Sequence, residues 1–461
     1  MNTNLILNTD SYKLSHFAQY PEGSEYIYYY VESRGGRWDE VTMFGLQAFM
    51  KEYLTKPITQ EDIDQADRFA KAHGEPFNRE GWEYILNEHD GYLPLEIKAV
   101  PEGIAVPTRN VMATIVNTDP KCYWLGSYME TAILRSIWYG STVSTQSREI
   151  KQLILKYLEE TGDPAGIMFK LHDFGGRGVS SFESAGAGDA AHLVHFLGTD
   201  TISGILFAQE YYNTTEMVGF SIPAAEHSTQ TILGREGEKA QQLRMIEQFA
   251  GFPLIAVVSD SYDIYESTKR WATELRQAVI DSGSCIVIRP DSGKPSEVVL
   301  KVLETLGEHL PDGDVTVNDK GYKVLPDFFR VIQGDGINYN SIKEILDVIT
   351  GAGWSADNLA FGMGGALLQG IDRDTQKFAM KASAAQINGE WVDVFKDPIT
   401  DKGKVSKKGR LMLYGNKESG YFTGKVDDPS IQDAPVLETV FKDGVVTKEY
   451  TFQEVRDNAA L

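Results

Sequence analysis

Five short apolar runs, each closed by a cluster of Asp or Gly, constrain this chain more than any other feature. They are IMFKLHDFGGRG (Ile167 to Gly178), LIAVVSDSYD (Leu254 to Asp263), CIVIRPDSG (Cys285 to Gly293), FRVIQGDG (Phe329 to Gly336) and LAFGMGG (Leu359 to Gly365). Apolar runs of this length between turn signals read as strands. Amphipathic stretches lie between them. One runs from Ile264 through Trp271 and Leu275 to Ala278 and Val279, with Glu, Lys and Arg opposite, as in a helix packed on one face. Strands alternating with helices make parallel β/α units. Polar clusters that follow such strands gather at the carboxyl edge of the sheet, where these folds bind ligands. The expected fold is α/β, with an irregular (β/α) barrel-like body of parallel strands over residues 161–381.

The flanks have a different texture. Glu25 to Ser33 (EYIYYYVES) reads as a strand, and Pro94 to Ala105 alternates like a half-buried one. Phe44 to Tyr53, Thr59 to Ala72 and Trp124 to Trp138 read as helices, the second opening on Thr and acidic residues. Near the end, LMLYG, GYFTG and VTKEYTF read as β structure. The expectation is a second, α+β domain in which residues 1–160 pack with the β-rich residues 382–461.

Among 461 residues, 66 Asp and Glu outweigh 44 Lys and Arg, a net charge of −22. That balance argues against nucleic acid or an anionic membrane surface as partner, since both need excess cations. It leaves room for a small anionic substrate held by a few local cations. Cys122 and Cys285 stand far apart in apolar contexts, outside any CxxC or Cys/His motif. They read as buried small hydrophobes, with no disulfide or zinc site, in a reducing compartment. The N-terminus lacks a secretory apolar core, and no run approaches the length of a membrane span. The expectation is a soluble, cytoplasmic protein.

The strand-end clusters suggest their own chemistry. Gly364–Gly365 and the Gly334-Asp335-Gly336 turn permit positive φ and close approach of backbone N–H groups to a ligand. Arg177, Arg289, Arg373 and Lys381 suit phosphate oxygens. Asp260, Asp291 and Asp335 can hold Mg²⁺ or accept from sugar hydroxyls. Together these point to a phosphorylated, hydroxylated substrate that carries magnesium. No P-loop, protein-kinase, HExxH or GxSxG motif is present. His227, in PAAEHST, is a candidate nucleophile whose tautomer Glu226, Ser228 or Thr229 would set; a structural histidine is the alternative. Phe174 can stack on a flat ring and Tyr12 is a second aromatic candidate, with core packing as the alternative for both. His172 is read as organising its strand end.

A chain of ordered segments resembles the nicotinamide phosphoribosyltransferase family, within the type II phosphoribosyltransferases. They include TDSYKLSH, LPLEIKAVPEG, NTDPKCYWL, KLHDFGGRGVSS, GTDT, PAAEHST, VSDSYDIY, IRPDSGKP, RVIQGDG, FGMGGALLQ and SKKGRL, and the match runs from Asn8 to about Ala459. The resemblance implies transfer of the phosphoribosyl group from phosphoribosyl pyrophosphate to nicotinamide, with Mg²⁺ and ATP hydrolysis through a phosphohistidine at His227. It implies a homodimer with active sites at the subunit interface. The nicotinamide ring would stack between Phe174 and Tyr12 of the partner subunit, with Arg177 beside it and Asp200 accepting from the carboxamide. Arg289 and Asp291 would hold the ribosyl part, and Gly334, Asp335, Gly364 and Gly365 would surround the 5′-phosphate. Arg373, Arg34, Lys381, Lys396 and Lys404 would supply charge for the phosphates, and Asp260 and Asp291 would neighbour the metal.

Two positions depart from the family's pattern. Gly176 replaces a larger side chain, implying a roomier pocket, and Met363 replaces a Ser. Two rival readings stand: a nicotinate phosphoribosyltransferase, and a non-catalytic binding protein on the same fold.

Overall fold

The computed structural model describes residues 4–400 and 405–461. They form two compact units: residues 146–207 with 216–371, and the chain up to Thr145 with 208–215 and 372–460. Both borders fall 10–15 residues earlier in the chain than the expected ones at 160 and 381, and residues 208–215 join the second unit. The long helix Glu130–Thr161 gives residues to both units, and the strand Phe378–Ile387 belongs wholly to the second.

In the first unit, six parallel strands form one sheet, and all but the second carry the apolar runs: β1 (Leu171–Asp173), β2 (Gly198–Thr199), β3 (Leu254–Val258), β4 (Cys285–Arg289), β5 (Phe329–Gln333) and β6 (Leu359–Met363), in the order β2-β1-β6-β5-β4-β3. Register is fixed by pairs such as Phe361 with Leu171, Val331 with Leu359 and Val258 with Arg289. The two edges are joined by the segment 220–225. Phe220 exchanges hydrogen bonds with Leu197 and Thr199, and Ala225 and Pro223 bond Ala256. The sheet therefore closes on itself as a barrel whose strands follow one another in chain order.

The crossover helices include Phe182–Leu193, Pro295–His309 and Tyr339–Gly351. The last two bury apolar stripes such as Ile342, Ile345, Leu346 and Ile349, each such side chain contributing about 1.5–3 kcal/mol when fully buried, whereas the first buries mainly Ala and Gly with Asp189 and His192. Inside the barrel, Ala256, Val287 and Ile332 are buried, and Phe174, Ile222 and Ala360 pack on them. At the opposite end Lys170 donates to the carbonyls of Ala356, Asp357 and Leu359. Burial pulls this ammonium down to about 8.

The second unit is built on a seven-stranded antiparallel sheet in the order Glu390–Asp393, Phe378–Ile387, Ser24–Ser33, Val111–Asn117, Leu95–Ala99, Glu438–Lys442 and Val445–Val446. Tyr30, Ile97, Ile115 and Phe441 are fully buried in its core. The helix Gln60–His73 starts on a capping box of Thr59 and Asp62, the device that the Thr-acidic opening signals.

Local readings fail where the chain bends. Pro94 to Ala105 makes two strands, Leu95–Ala99 and Ala105–Pro107, around a turn with Gly103 at φ +94°. The stretch from Ile264 to Val279 breaks into Ile264–Ala272 and Arg276–Ser282, because buried Leu275 turns in to bond Arg270. In VTKEYTF only Val446 is in a strand. Thr451 and Glu454 form a capping box that starts the helix Phe452–Asn458. No helix among the described residues is long and apolar enough to cross a membrane.

Candidate active site

The site is a cleft of about 1140 Å³ at the carboxyl ends of the barrel strands. Phe174 follows β1. Its N–H donates to Met363 O at 2.9 Å, and its ring lies half-buried over the barrel's apolar interior. A Cβ on Gly362 would sit 1.9 Å from that ring, and one on Gly334 3.0 Å from it. Glycine at these two strand ends makes the room for the aromatic.

Asp200 follows β2, and its N–H donates to Asp173 O at 3.0 Å. Both of its side-chain donors reach Oδ1: His172 Nε2 at 3.0 Å and the Ser221 hydroxyl at 2.5 Å. Burial pushes this carboxyl up, but the bond and charge of His172, the Ser221 hydroxyl and the Arg289 charge outweigh it. The group is held below the usual carboxylate range and is negative at neutral pH.

His227 opens the short helix His227–Thr231 after the closing segment. Its Nε2 lies 3.0 Å from Asp260 Oδ1, and its Nδ1 lies 3.9 Å from Asp291 Oδ2. A carboxylate can only accept, so Nε2 carries the proton of the neutral ring and Nδ1 carries the lone pair. Ser292 donates to the second oxygen of Asp260, whose side chain is 5% exposed. The tautomer is therefore set by Asp260 and not by the sequence neighbours: Glu226 accepts from Ser228, and Thr229 bonds the Glu226 carbonyl. Asp291 is pushed above the usual range by burial and by Asp260 and Asp335, against Arg289 and His227. Arg289 Nε is buried with no partner, an unspent donor beside these carboxylates.

Of the residues singled out in the sequence, Phe174, Arg177, Asp200, His227 and Arg289 line this cleft. So do Asp291, Gly334, Asp335, Gly364 and Gly365, while Asp260 stands behind His227. Positive φ is found at Gly336 alone among these glycines. A Cβ on Gly365 would meet nothing within 4 Å, so its backbone faces the open cleft. Gly176 adds no room, because a Cβ there would lie 2.9 Å from Thr201 Oγ1; Thr201 fills the space. Met363 is buried, with its carbonyl on Phe174.

The remaining candidates belong to the other unit. Tyr12 is exposed, and Arg373 pairs with Asp374 at 3.0 Å. Arg34, Lys381 and Lys396 gather with Lys13 and Glu130. Burial, with the neighbouring cations, lowers the Lys381 ammonium against the pull of Glu130. Lys404 lies outside the described residues. Ser221 and Ser292 were not legible in sequence, because a serine inside an apolar run or a turn carries no linear signal.

Both cysteines are buried free thiols. His89, Asp119 and Cys122 are the one group of three, among the described residues, whose metal-ligand atoms come together. Asp119 already accepts from Tyr84, Lys121 N–H and His89, and burial pushes the Cys122 thiol up to about 12. The cluster reads as a hydrogen-bonded strut.

Comparison with known proteins gives concordant matches. The nicotinate phosphoribosyltransferase family model matches residues 169–445, and the nicotinamide phosphoribosyltransferase N-terminal domain model matches residues 4–97. The chain is 52% identical to a nicotinamide phosphoribosyltransferase of Xanthomonas campestris pv. campestris, over 99% of this chain and 98% of that one. It is 31% identical to one of Acinetobacter baylyi, over 98% and 96%. A nicotinate-nucleotide pyrophosphorylase from Pyrococcus furiosus superposes with TM-score 0.62 at 16% identity, covering 99% of this chain and 94% of that one. Human nicotinic acid phosphoribosyltransferase gives 0.58 at 13% identity, covering 98% and 92%. These two solved structures share the fold.

Proposed function

This chain belongs to the nicotinamide phosphoribosyltransferase family and is a pentosyltransferase, and on that premise we propose how its cleft transfers phosphoribose from phosphoribosyl pyrophosphate to nicotinamide. The products are nicotinamide mononucleotide and pyrophosphate. The observation that carries this reading is one cleft lined by an aromatic ring (Phe174), a carboxylate kept ionised (Asp200), and both Arg289 and Asp291 beside glycine-lined loops.

Nicotinamide stacks on Phe174, and Asp200 Oδ2, left open by donors that both go to Oδ1, accepts from the carboxamide NH₂. A nicotinate carboxylate would meet that negative charge instead, which selects amide over acid. Backbone N–H groups at Gly334, Asp335, Gly364 and Gly365 receive the 5′-phosphate, and Arg289 and Asp291 hold the ribosyl part. As the bond from C1 to pyrophosphate breaks, C1 gains oxocarbenium character and the pyridine nitrogen attacks it. That nitrogen is already a nucleophile, so the protein's task is to orient substrates and stabilise charge.

Asp260 and Asp291 are the residues that would hold Mg²⁺, directly or through water. The fit rests on Asp291, pushed up by burial and by its carboxylate neighbours, an excess of negative charge that a cation relieves. When bound, Mg²⁺ supplies neutralising charge to the pyrophosphate. Arg34, Lys381 and Lys396, which gather together, and Arg373 and Lys404 supply charge for the phosphates, and a second copy of the chain brings Tyr12 of the partner subunit to the ring. ATP drives a coupled step at His227. Nδ1 attacks the γ-phosphorus, the N–P bond forms as the bond to ADP breaks, and water later cleaves the phosphohistidine.

A competition assay with phosphoribosyl pyrophosphate, Mg²⁺, nicotinamide and nicotinate tests the reading. Nicotinamide mononucleotide is the expected product, whereas preference for nicotinate, or no product at all, overturns it. His227→Ala is expected to abolish ATP hydrolysis and phosphoenzyme while slower, ATP-independent synthesis continues. Retained phosphate labelling in that variant would move the phosphosite elsewhere.

A further inference from the structure

Behind the ring-binding and amide-binding segments, two carboxyl groups are buried together with no cation bonded to either. Asp173 ends β1 and Asp189 lies in the helix Phe182–Leu193, and both are 0% exposed. Asp173 Oδ1 accepts from Gly175 N–H at 2.6 Å, and Asp189 Oδ1 accepts from the Thr199 hydroxyl at 2.7 Å. Neither Oδ2 has a hydrogen-bond partner of good geometry, and the neighbours within reach are the Thr201 hydroxyl, beside Asp173, and the other carboxyl group. A Cβ on Gly204 would sit 2.0 Å from Asp189 Oδ2, so Gly204 makes the room for this carboxyl group and packs directly against it.

Two carboxylates in contact away from water cannot both ionise. One proton resolves the arrangement: neutral Asp189 donates from Oδ2 to Asp173 Oδ2, and the remaining oxygens accept as observed. The charged groups facing the pair from neighbouring elements are His172, on the Asp173 side, and Asp200, on the Asp189 side. They are bonded to each other, so their effects on the pair largely offset. Burial, then the Asp173 charge, pushes Asp189 far above the usual carboxylate range, and burial raises Asp173.

We propose that Asp173 and Asp189 hold one proton between them and act as positioning residues that tie the turn carrying Phe174 to the turn carrying Asp200. Asp173 bonds both turns, through Gly175 N–H and through its carbonyl to Asp200 N–H at 3.0 Å. Asp189 grips the second turn through Thr199, whose hydroxyl oxygen also accepts Thr201 N–H at 2.8 Å. The proton is the link between these two sets. This inference rests on the reading of the cleft as the nicotinamide site.

Asp189→Asn keeps the shape and offers an N–H to Asp173, whereas Asp189→Leu removes the link and leaves a buried, unpaired carboxylate. At pH 7 the Asn variant is expected to keep its KM for nicotinamide within about twofold. The Leu variant is expected to raise it about tenfold or more, with a smaller change in kcat. Thermal unfolding against pH gives a substrate-free readout. The folded protein holds a proton that the unfolded chain releases, so stability falls as pH rises from the ordinary carboxylate range toward the raised folded value. Between about pH 5 and 8 the wild-type Tm should therefore fall relative to that of Asp189→Asn, which cannot titrate. An Asn variant as impaired as the Leu variant, a Leu variant with unchanged KM, or matching pH slopes would each overturn the proposal. If the Leu variant does not fold, the wild-type and Asn slopes still decide. A wild type that makes no nicotinamide mononucleotide sinks the functional reading instead, and the unfolding slopes still judge the shared proton.

Discussion

In the barrel unit most site residues follow a strand by one or two positions, with Arg289 at a strand's last position and Arg177 and His227 further on. Phe174 comes after Asp173, Asp200 after Thr199, Gly334 after Gln333 and Gly364 after Met363, while Asp260 and Asp291 stand two past Val258 and Arg289. The antiparallel unit keeps no such rule. Arg34 follows the strand Ser24–Ser33, but Lys381 lies inside the strand Phe378–Ile387 paired with it. Parallel strands all end at one edge, so position along the chain translates into position in space. Antiparallel neighbours end at opposite edges, and there only the pairing says which residues meet. Chemistry therefore concentrates where chain order is a reliable guide, and the antiparallel unit joins segments that are far apart in sequence.

That contrast breaks if substitutions at strand ends act through stability, or if substitutions in the antiparallel core act through turnover. The largest effect is expected at Arg289→Ala or Asp291→Asn. Turnover should fall by about 10²–10³ with Tm nearly unchanged, measured by steady-state kinetics beside thermal melts. Next comes Asp200→Asn, expected to shift the nicotinamide-to-nicotinate ratio of kcat/KM toward nicotinate by about 10–100-fold. Because the Asp200 carboxyl is held below its usual range, its contribution to nicotinamide affinity is present at neutral pH. It is lost only as pH falls through that depressed value. A KM for nicotinamide that already climbs between pH 7 and 6 would assign the recognition to another group.

The antiparallel unit offers the opposite test. Tyr212 donates to Glu102 at 2.5 Å, and the same buried carboxyl accepts from Gly45 and Gln47 N–H groups. Tyr212→Phe removes one of these donors and should cost about 1–3 kcal/mol in denaturant unfolding while leaving KM values within twofold. The smallest effect is expected on the outer face of the barrel. Lys343→Ala deletes a half-exposed pair with Asp347, worth about 0.3–0.5 kcal/mol, a change in Tm near the limit of measurement.

The strands were legible because apolar runs ending in Asp and Gly leave little alternative to a buried parallel strand. The residues just past their ends were legible as the lining of one cleft for the same reason. Where the chain bends, the pattern misleads. Leu275 breaks an apparently continuous amphipathic helix by turning inward, and the Thr451–Glu454 capping box converts an apparent strand into a helix start. Partners were less legible still. His227 is set by Asp260, 33 positions away, and not by Glu226 beside it.

The sequence by itself determined the parallel β/α alternation, the family, and the side of the sheet on which the chemistry stands. These follow from residue type and from spacings that each stretch of chain carries within itself. Only the tertiary structure decided that segment 220–225 closes the barrel, that Ser221 and His172 share one oxygen of Asp200, and that Asp173 meets Asp189 out of reach of water. Each of those depends on which distant groups are brought within about 3 Å while solvent is excluded, and no local pattern encodes that.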